Sequence, residues 1–220
     1  MKLSNIYLKK DGDWSLFKKV GSGDLKSRNI KINHASIGDL CRLDNNISID
    51  DGVTIGPSVR LYHGTRIDRD VIIAAGSSLF NGVLIERNVI IGSETNIGPY
   101  SLIGQHVSLG GSVVTYGHVR VGREVVIAPG ARIGPESSIE NTSDCVVIGP
   151  LGSRDSMLTG YYHDGYVWIT TGCFCGSITD FENAVRRDYR GTRMEGDYLA
   201  ASAYIFARIE SSRRERGGLK

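Results

Sequence analysis

From Ile37 to Ile139, every sixth residue is aliphatic with one exception, Thr115, giving eighteen positions in register. A second column lies two residues before each of these. It runs from Ala35 and Cys41 through Ile47, Val53, Val59, Thr65 and Val71 to Ala131 and Ser137, and its members are small or β-branched apart from the cysteine. A spacing of two puts both side chains on one face of an extended strand. The Gly, Asp, Asn and Pro residues that follow each pair supply turns. The pattern therefore predicts short strands and turns repeated without interruption from about Ala35 to Glu140, which is a β-helix.

The repeating unit, aliphatic-Gly-x-x-small-x, is seen in Ile91-Gly-Ser-Glu-Thr-Asn and Ile103-Gly-Gln-His-Val-Ser. It resembles the hexapeptide-repeat family over about half of the chain. That resemblance implies a left-handed parallel β-helix with three strands per coil, an exception to the usual right-handed crossover. It also implies a homotrimer as the usual state. Eighteen hexads then make six coils, a prism roughly 29 Å tall at ~4.8 Å per rung.

The flanks break the period. Residues 1–34 contain Ile6-Tyr-Leu and Trp14-Ser-Leu-Phe around the turn-like Asp11-Gly-Asp, which predicts a hairpin capping the first coil. The repeat fails at Asn141-Thr-Ser-Asp, so the chain divides into a cap (1–34), a β-helix (35–145) and a small α+β module (146–220) on a mainly β fold. In the module, strands are expected from Met157 to Tyr162 and from Tyr166 to Thr171 about the turn His163-Asp-Gly. A first helix is expected from near Thr179, with Glu182 as its capping-box partner, and a second from about Asp197 to Ser212. Through Gly152-Ser-Arg, Leu158-Thr, Gly172-Cys-Phe-Cys-Gly and Phe181, this tail resembles a module of phage and bacterial proteins of unknown function. No activity comes with that resemblance.

Composition narrows the possibilities. The chain has 220 residues, 40% of them hydrophobic, and a formal charge of +2, so no global charge argues for binding a nucleic acid polymer. The absence of a long apolar run argues against a membrane span, and the start, Met1-Lys-Leu-Ser-Asn, lacks a signal-peptide core, so a cytoplasmic location is expected. Four cysteines do not make a spaced disulfide framework. Cys173 and Cys175 are expected to be a reduced pair in the core, since two thiolates without further ligands are a poor zinc site.

In a three-sided prism, residues eighteen apart stack, so outward positions sort into faces and corners. One face carries Thr54, Ile72, Ile90, Ser108 and Val126, and a neighbouring face adds Leu84 and Leu102; an apolar stripe of this kind suits a subunit contact. The first corner is lined by Gly38, Gly56, Ala74, Gly92, Gly110 and Ala128. The third, with Asp50, Asp68, Glu86, Arg69, Arg87 and Arg123, reads as a solvated edge. The second has Tyr62, Phe80 and Tyr116 in one column and His63, Asn81, Tyr100 and His118 in the next two. Arg42, Arg60 and Arg132 stand on the face leading into it. Rings for stacking and guanidiniums for anionic oxygens would serve a nucleotide-like ligand. Arg154 in Gly152-Ser-Arg could add a phosphate contact, although a lone Gly-Ser-Arg reads first as an ordinary turn.

These residues leave three functional readings open. The first is a non-catalytic homotrimer binding a small anionic, nucleotide-like ligand through Arg60, Tyr62, His63, Phe80, Asn81, Tyr100, Tyr116, His118 and Arg154, with no cofactor. The second follows from the family resemblance, which implies acyl transfer from acyl-coenzyme A with a histidine as general base. His63 and His118 are the candidates, with His106 as a further one. The repeat lacks an extruded loop of the kind that often covers such a site in that family. The resemblance also brings in zinc carbonic anhydrases, but His63 and His118 are three coils apart and His106 is on another corner, so no metal triad is expected. The third reading is a structural trimer that binds a protein partner.

Overall fold

The computed structural model describes residues 5–10, 12–152 and 155–217. Its body is a left-handed parallel β-helix of about six coils. The strands are two residues long and recur every six, from Ser36–Ile37 to Ser138–Ile139, and they line up in three parallel sheets. Each strand pairs with the strand eighteen residues away, so Thr54, Ile72, Ile90, Ser108 and Val126 form one continuous ladder.

The inward columns explain why the chain coils. Leu43, Leu61, Leu79, Ile97 and Ile133 are all fully buried, as are Val59, Val83 and Val113. The one polar member of the aliphatic column, Thr115, is buried but satisfied, because its Oγ1 accepts a hydrogen bond from the Gly98 amide at 3.0 Å.

The third turn residue of each hexad has a positive φ near 60 to 75°, as at Asn46, Gly64, Gly82, Tyr100, His106 and His118. A side chain in that region costs roughly 1–2 kcal/mol. Each coil offsets the cost with a backbone bond to the preceding coil, such as Tyr100 N to Asn81 O and His118 N to Pro99 O, both 2.8 Å.

Both ends of the hydrophobic column are covered. At the start, the strands Ile6–Lys10 and Asp13–Phe17 form the expected hairpin, and the first pairs in parallel with Arg42–Leu43. Its Ile6 and Leu8 are fully buried and continue the core downward. A short helix, α1 (Ser22–Lys26), leads into the first coil.

At the far end, four antiparallel strands, Cys145–Leu151, Ser156–His163, Tyr166–Thr171 and Phe174–Ser177, make a sheet whose Tyr161 joins the β-helix core. Helices α2 (Ile178–Asp188) and α3 (Arg193–Glu215) pack against that sheet around Leu158, Ile169, Phe181, Val185, Ile205 and Ile209.

Three expectations change in this module. Two further strands flank the expected hairpin. Helix α2 begins at Ile178, close to the expected Thr179, but its cap is Ser177, whose Oγ accepts from the Asp180 amide at 3.2 Å, and Glu182 accepts from Ser202 Oγ at 3.0 Å instead of closing a capping box. Helix α3 begins four residues earlier than expected, because Thr192 is extended and the chain turns into the helix at once.

The cysteine pair is also corrected. Cys173 and Cys175 are exposed, since they lie at a hairpin and an edge strand rather than inside, and Cys175 Sγ faces the Tyr161 hydroxyl at 3.6 Å. Among the described residues no helix is long and apolar enough to cross a membrane.

Candidate functional site

The second corner is built by the inward leucines beside it. Leu61 and Leu79 point into the core, which sends their neighbours Arg60, Tyr62 and Phe80 to the outer side, where Ser78 also lies but is covered by its neighbours. The Tyr62 and Phe80 rings stack face to face, with centroids 5.0 Å apart and planes within 5°. Two turn positions along, Tyr100 and His118 stack at 5.3 Å and 22°.

The structure thus brings together two ring pairs on one edge. Tyr116 shares the column of Tyr62 and Phe80, but Gly98 lies between it and Phe80. A side chain at Gly98 would run into the Tyr116 carbonyl, so the ring ladder is interrupted by backbone packing.

The polar partners are sparse. Asn81 is exposed beside Phe80, and Arg60 is exposed on the strand that leads to Tyr62. Arg42 is otherwise engaged, its guanidinium lying 5.5 Å from the Tyr7 ring and 5.9 Å from the Trp14 ring of the capping hairpin. Arg132 stands four rungs from Arg60 on the same ladder, too far to share a small ligand with it. Arg154 lies outside the described residues.

The histidines differ in their settings. His63 Nε2 is 3.2 Å from Asn46 Nδ2, and His118 has the Tyr100 ring as its neighbour. His34 has the partner a general base would want: its Nδ1 is 2.8 Å from Asp51 Oδ1, and its backbone amide donates to the same oxygen at 3.0 Å. Those two bonds, the amide first, hold the Asp51 carboxyl below the usual range.

Sequence reasoning missed His34 because it precedes the first hexad. The signal was a spacing of seventeen, which recurs in Asn29 with Asn46, Asn33 with Asp50, and Asn46 with His63. A turn side chain reaches the next coil one position early. His34 is nonetheless almost fully exposed, with no surrounding walls.

The corner is convex. Four cavities of the single chain lie elsewhere, in the C-terminal module and along its seam with the last coil. Among the described residues no group of three or more His, Cys, Asp or Glu could hold a metal ion.

At the seam, buried Asp144 bonds Arg216, with Arg213 at 3.9 Å. The Arg213 guanidinium also lies 3.4 Å from the centroid of the Tyr162 ring. These contacts join the module to the coil and include no open nucleophile.

No protein-family model and no curated protein matches the chain. Solved structures do match in part. The acetyltransferase domain of PglB from Neisseria gonorrhoeae FA1090 is 18% identical over 46% of this chain and 51% of that one, with a TM-score of 0.42. The same domain in complex with acetyl coenzyme A gives 20% identity, 50% of each chain and a TM-score of 0.38. UDP-N-acetylglucosamine acyltransferase from Campylobacter jejuni gives 12% identity over 78% of this chain and 80% of that one, with a TM-score of 0.20. The chain spans about half the length of the acetyltransferase domain.

Proposed function

We propose that this β-helix is a homotrimer whose aromatic corner binds a small anion carrying a planar ring, of the nucleotide or coenzyme A type. The observation that carries the reading is the parallel, stacked Tyr62 and Phe80 pair on the surface, with Arg60 next to Tyr62 and without a counter-carboxylate among the described ion pairs. A ring stacked on either face gains roughly 1–3 kcal/mol, and a guanidinium supplies a partner for phosphate oxygens.

A convex edge becomes a binding cleft when a second subunit faces it. The exposed stripe of Ile72, Ile90 and Val126, each about half exposed, is the surface that a neighbouring copy would cover.

The second reading is acyl transfer, and what favours it is that His63 and His118 stand on the same corner as the rings. A histidine there would take the proton of an acceptor hydroxyl or amine as that atom attacks the thioester carbonyl. The carbon–sulfur bond then breaks, and the coenzyme thiolate leaves and is protonated. Acetyl coenzyme A is the molecule held by the Neisseria domain, and it belongs to the ligand class proposed here.

Thermal melting with acetyl coenzyme A and with AMP tests both readings. The expected outcome is a rise in melting temperature on adding either compound, lost in Tyr62→Ala. Coenzyme A thiol release with an amine or hydroxyl acceptor, abolished in His63→Ala or His118→Ala, would establish transfer; binding without release establishes the non-catalytic reading. If neither compound shifts the melting of the wild-type protein, the corner is not a ligand site.

A further inference from the structure

The sequence motif Gly172-Cys-Phe-Cys-Gly and the helix residue Phe181 have no role in the corner, and the structure gives them one of their own. Gly172, Cys173 and Phe174 of that motif meet Phe181 at a cavity of about 360 Å³ between the edge of the four-stranded sheet and α2. That size is at the small end of the ~300–1,000 Å³ typical of ligand pockets.

Its wall is a run of rings in contact: Phe174 with Phe181 at 5.4 Å, Phe181 with Tyr198 at 5.7 Å, and Tyr198 with Tyr189 at 5.5 Å. The first two contacts are edge-on, at 64° and 87°, an arrangement that leaves ring faces and edges turned in different directions. Such a wall accepts a further aromatic ring by the same offset and edge-to-face contacts.

The charged residues at the rim are Arg187 and Asp188, and they satisfy each other through two hydrogen bonds of 2.7 and 3.0 Å. No net charge is offered to an occupant, and burying an unpaired charge against four rings would be costly. Thr171, Cys173 and Ser156 line the cavity as well, residues whose hydroxyl or thiol can serve one donor or acceptor of an occupant.

We infer that this cavity is a binding site for a neutral aromatic molecule of one or two rings bearing a single polar atom, such as a phenol or an indole. It is separate from the corner of the β-helix and does not rest on the reading given above. It assigns the C-terminal module a ligand as well as the task of closing the coil. Its opening is marked by Cys173, an exposed thiol, so occupancy has a chemical reporter in the wild-type protein.

The test uses indole and 4-methylphenol as probes with the full chain. Ligand-observed NMR is expected to show saturable binding of at least one of them with a Kd below about 1 mM, a modest affinity that suits so few ligand atoms. Ala184 lines the cavity, and Ala184→Phe, which fills it, should weaken binding at least tenfold, while Tyr62→Ala leaves it unchanged.

In the wild-type protein, the same probe should slow alkylation of Cys173 relative to Cys175, read by fragment mass spectrometry. That measurement stands even if Ala184→Phe does not fold. The inference is overturned if neither probe binds the wild-type protein, or if binding persists in folded Ala184→Phe. It is also overturned if a bound probe leaves Cys173 as reactive as before.

Discussion

The ring of Tyr62 lies parallel to that of Phe80, one coil above it, at a centroid distance of 5.0 Å. That distance is the rung spacing of the β-helix, ~4.8 Å, expressed in side chains. The scaffold sets the separation of the two rings, and their shared column sets their alignment.

Phe80→Ala should therefore lower stability by about 1 kcal/mol, the worth of an aromatic pair at a partly exposed site. It should also weaken any ligand that depends on Tyr62. Chemical denaturation reads the first effect. A Phe80→Ala protein that binds AMP as tightly as wild type would show that the pair is structural only.

Gly98 has no room for a side chain, because its added Cβ would meet the Tyr116 carbonyl in the next coil. Gly98→Ala is expected to cost on the order of 3 kcal/mol, since two coils must be pushed apart and their backbone bonds stretched. Gly165 sits in an open turn with no atom near its Cβ position, so Gly165→Asn, which keeps a residue tolerant of positive φ, should cost far less. Thermal melts of the two variants should differ clearly.

Ile72 and Ile90 pair on the exposed ladder, with Val126 two rungs further on. If that stripe is the subunit seam, Ile90→Glu buries three carboxylates near one another in the assembly and should shift the protein to monomers. Light scattering after gel filtration measures this. A wild-type protein that is already monomeric would remove the seam and, with it, the second wall of the proposed cleft.

Asp144 is buried, ends the turn after the last hexad, and holds Arg216. It also accepts from the Asn141 amide at 3.0 Å, so one carboxylate fixes both the turn and the helix. Asp144→Ala should cost about 1.5–3 kcal/mol, the loss of hydrogen bonds to a buried carboxylate, because the Arg216 left behind is exposed and can be solvated. The C-terminal helices should also become sensitive to protease before the β-helix does.

Cys41 is fully buried in the first coil, and burial pushes its thiol up to about 11, above the ordinary thiol range. The folded state therefore holds this proton more tightly than the unfolded chain. Its contribution is complete below the ordinary thiol range of ~8.5 and is lost as pH rises from there toward 11. Urea midpoints should fall between pH 8 and 10.5, and Cys41→Ala should lessen the fall. Cys145 is also pushed up, to about 12, by burial first and by Asp144 second, so part of the slope will remain. At pH 8, iodoacetamide should modify Cys173 well before Cys41.

Much of the fold was legible in the chain. A period of six with two inward columns is enough to specify rungs, because each aliphatic position has one place to go and its neighbour eighteen residues away defines that place. The stacking of Tyr62 on Phe80 followed from this alone, as did the exposed line through Ile72 and Ile90. The C-terminal module was read less well. Its elements lack a repeat, and its outer strands, Cys145–Leu151 and Phe174–Ser177, are defined by pairing with distant partners rather than by their own pattern.

The sequence by itself determined the coil, its height in rungs and the order of side chains along each edge, since all three are local consequences of a strict period. Only the tertiary structure decided which of those side chains are free. Arg42 was claimed by Tyr7 and Trp14 of the hairpin, Phe174 was drawn against Phe181, and His34 found Asp51 at an offset of seventeen residues. Those contacts depend on how the ends fold back and how side chains lean between coils, and a periodic sequence carries no record of either.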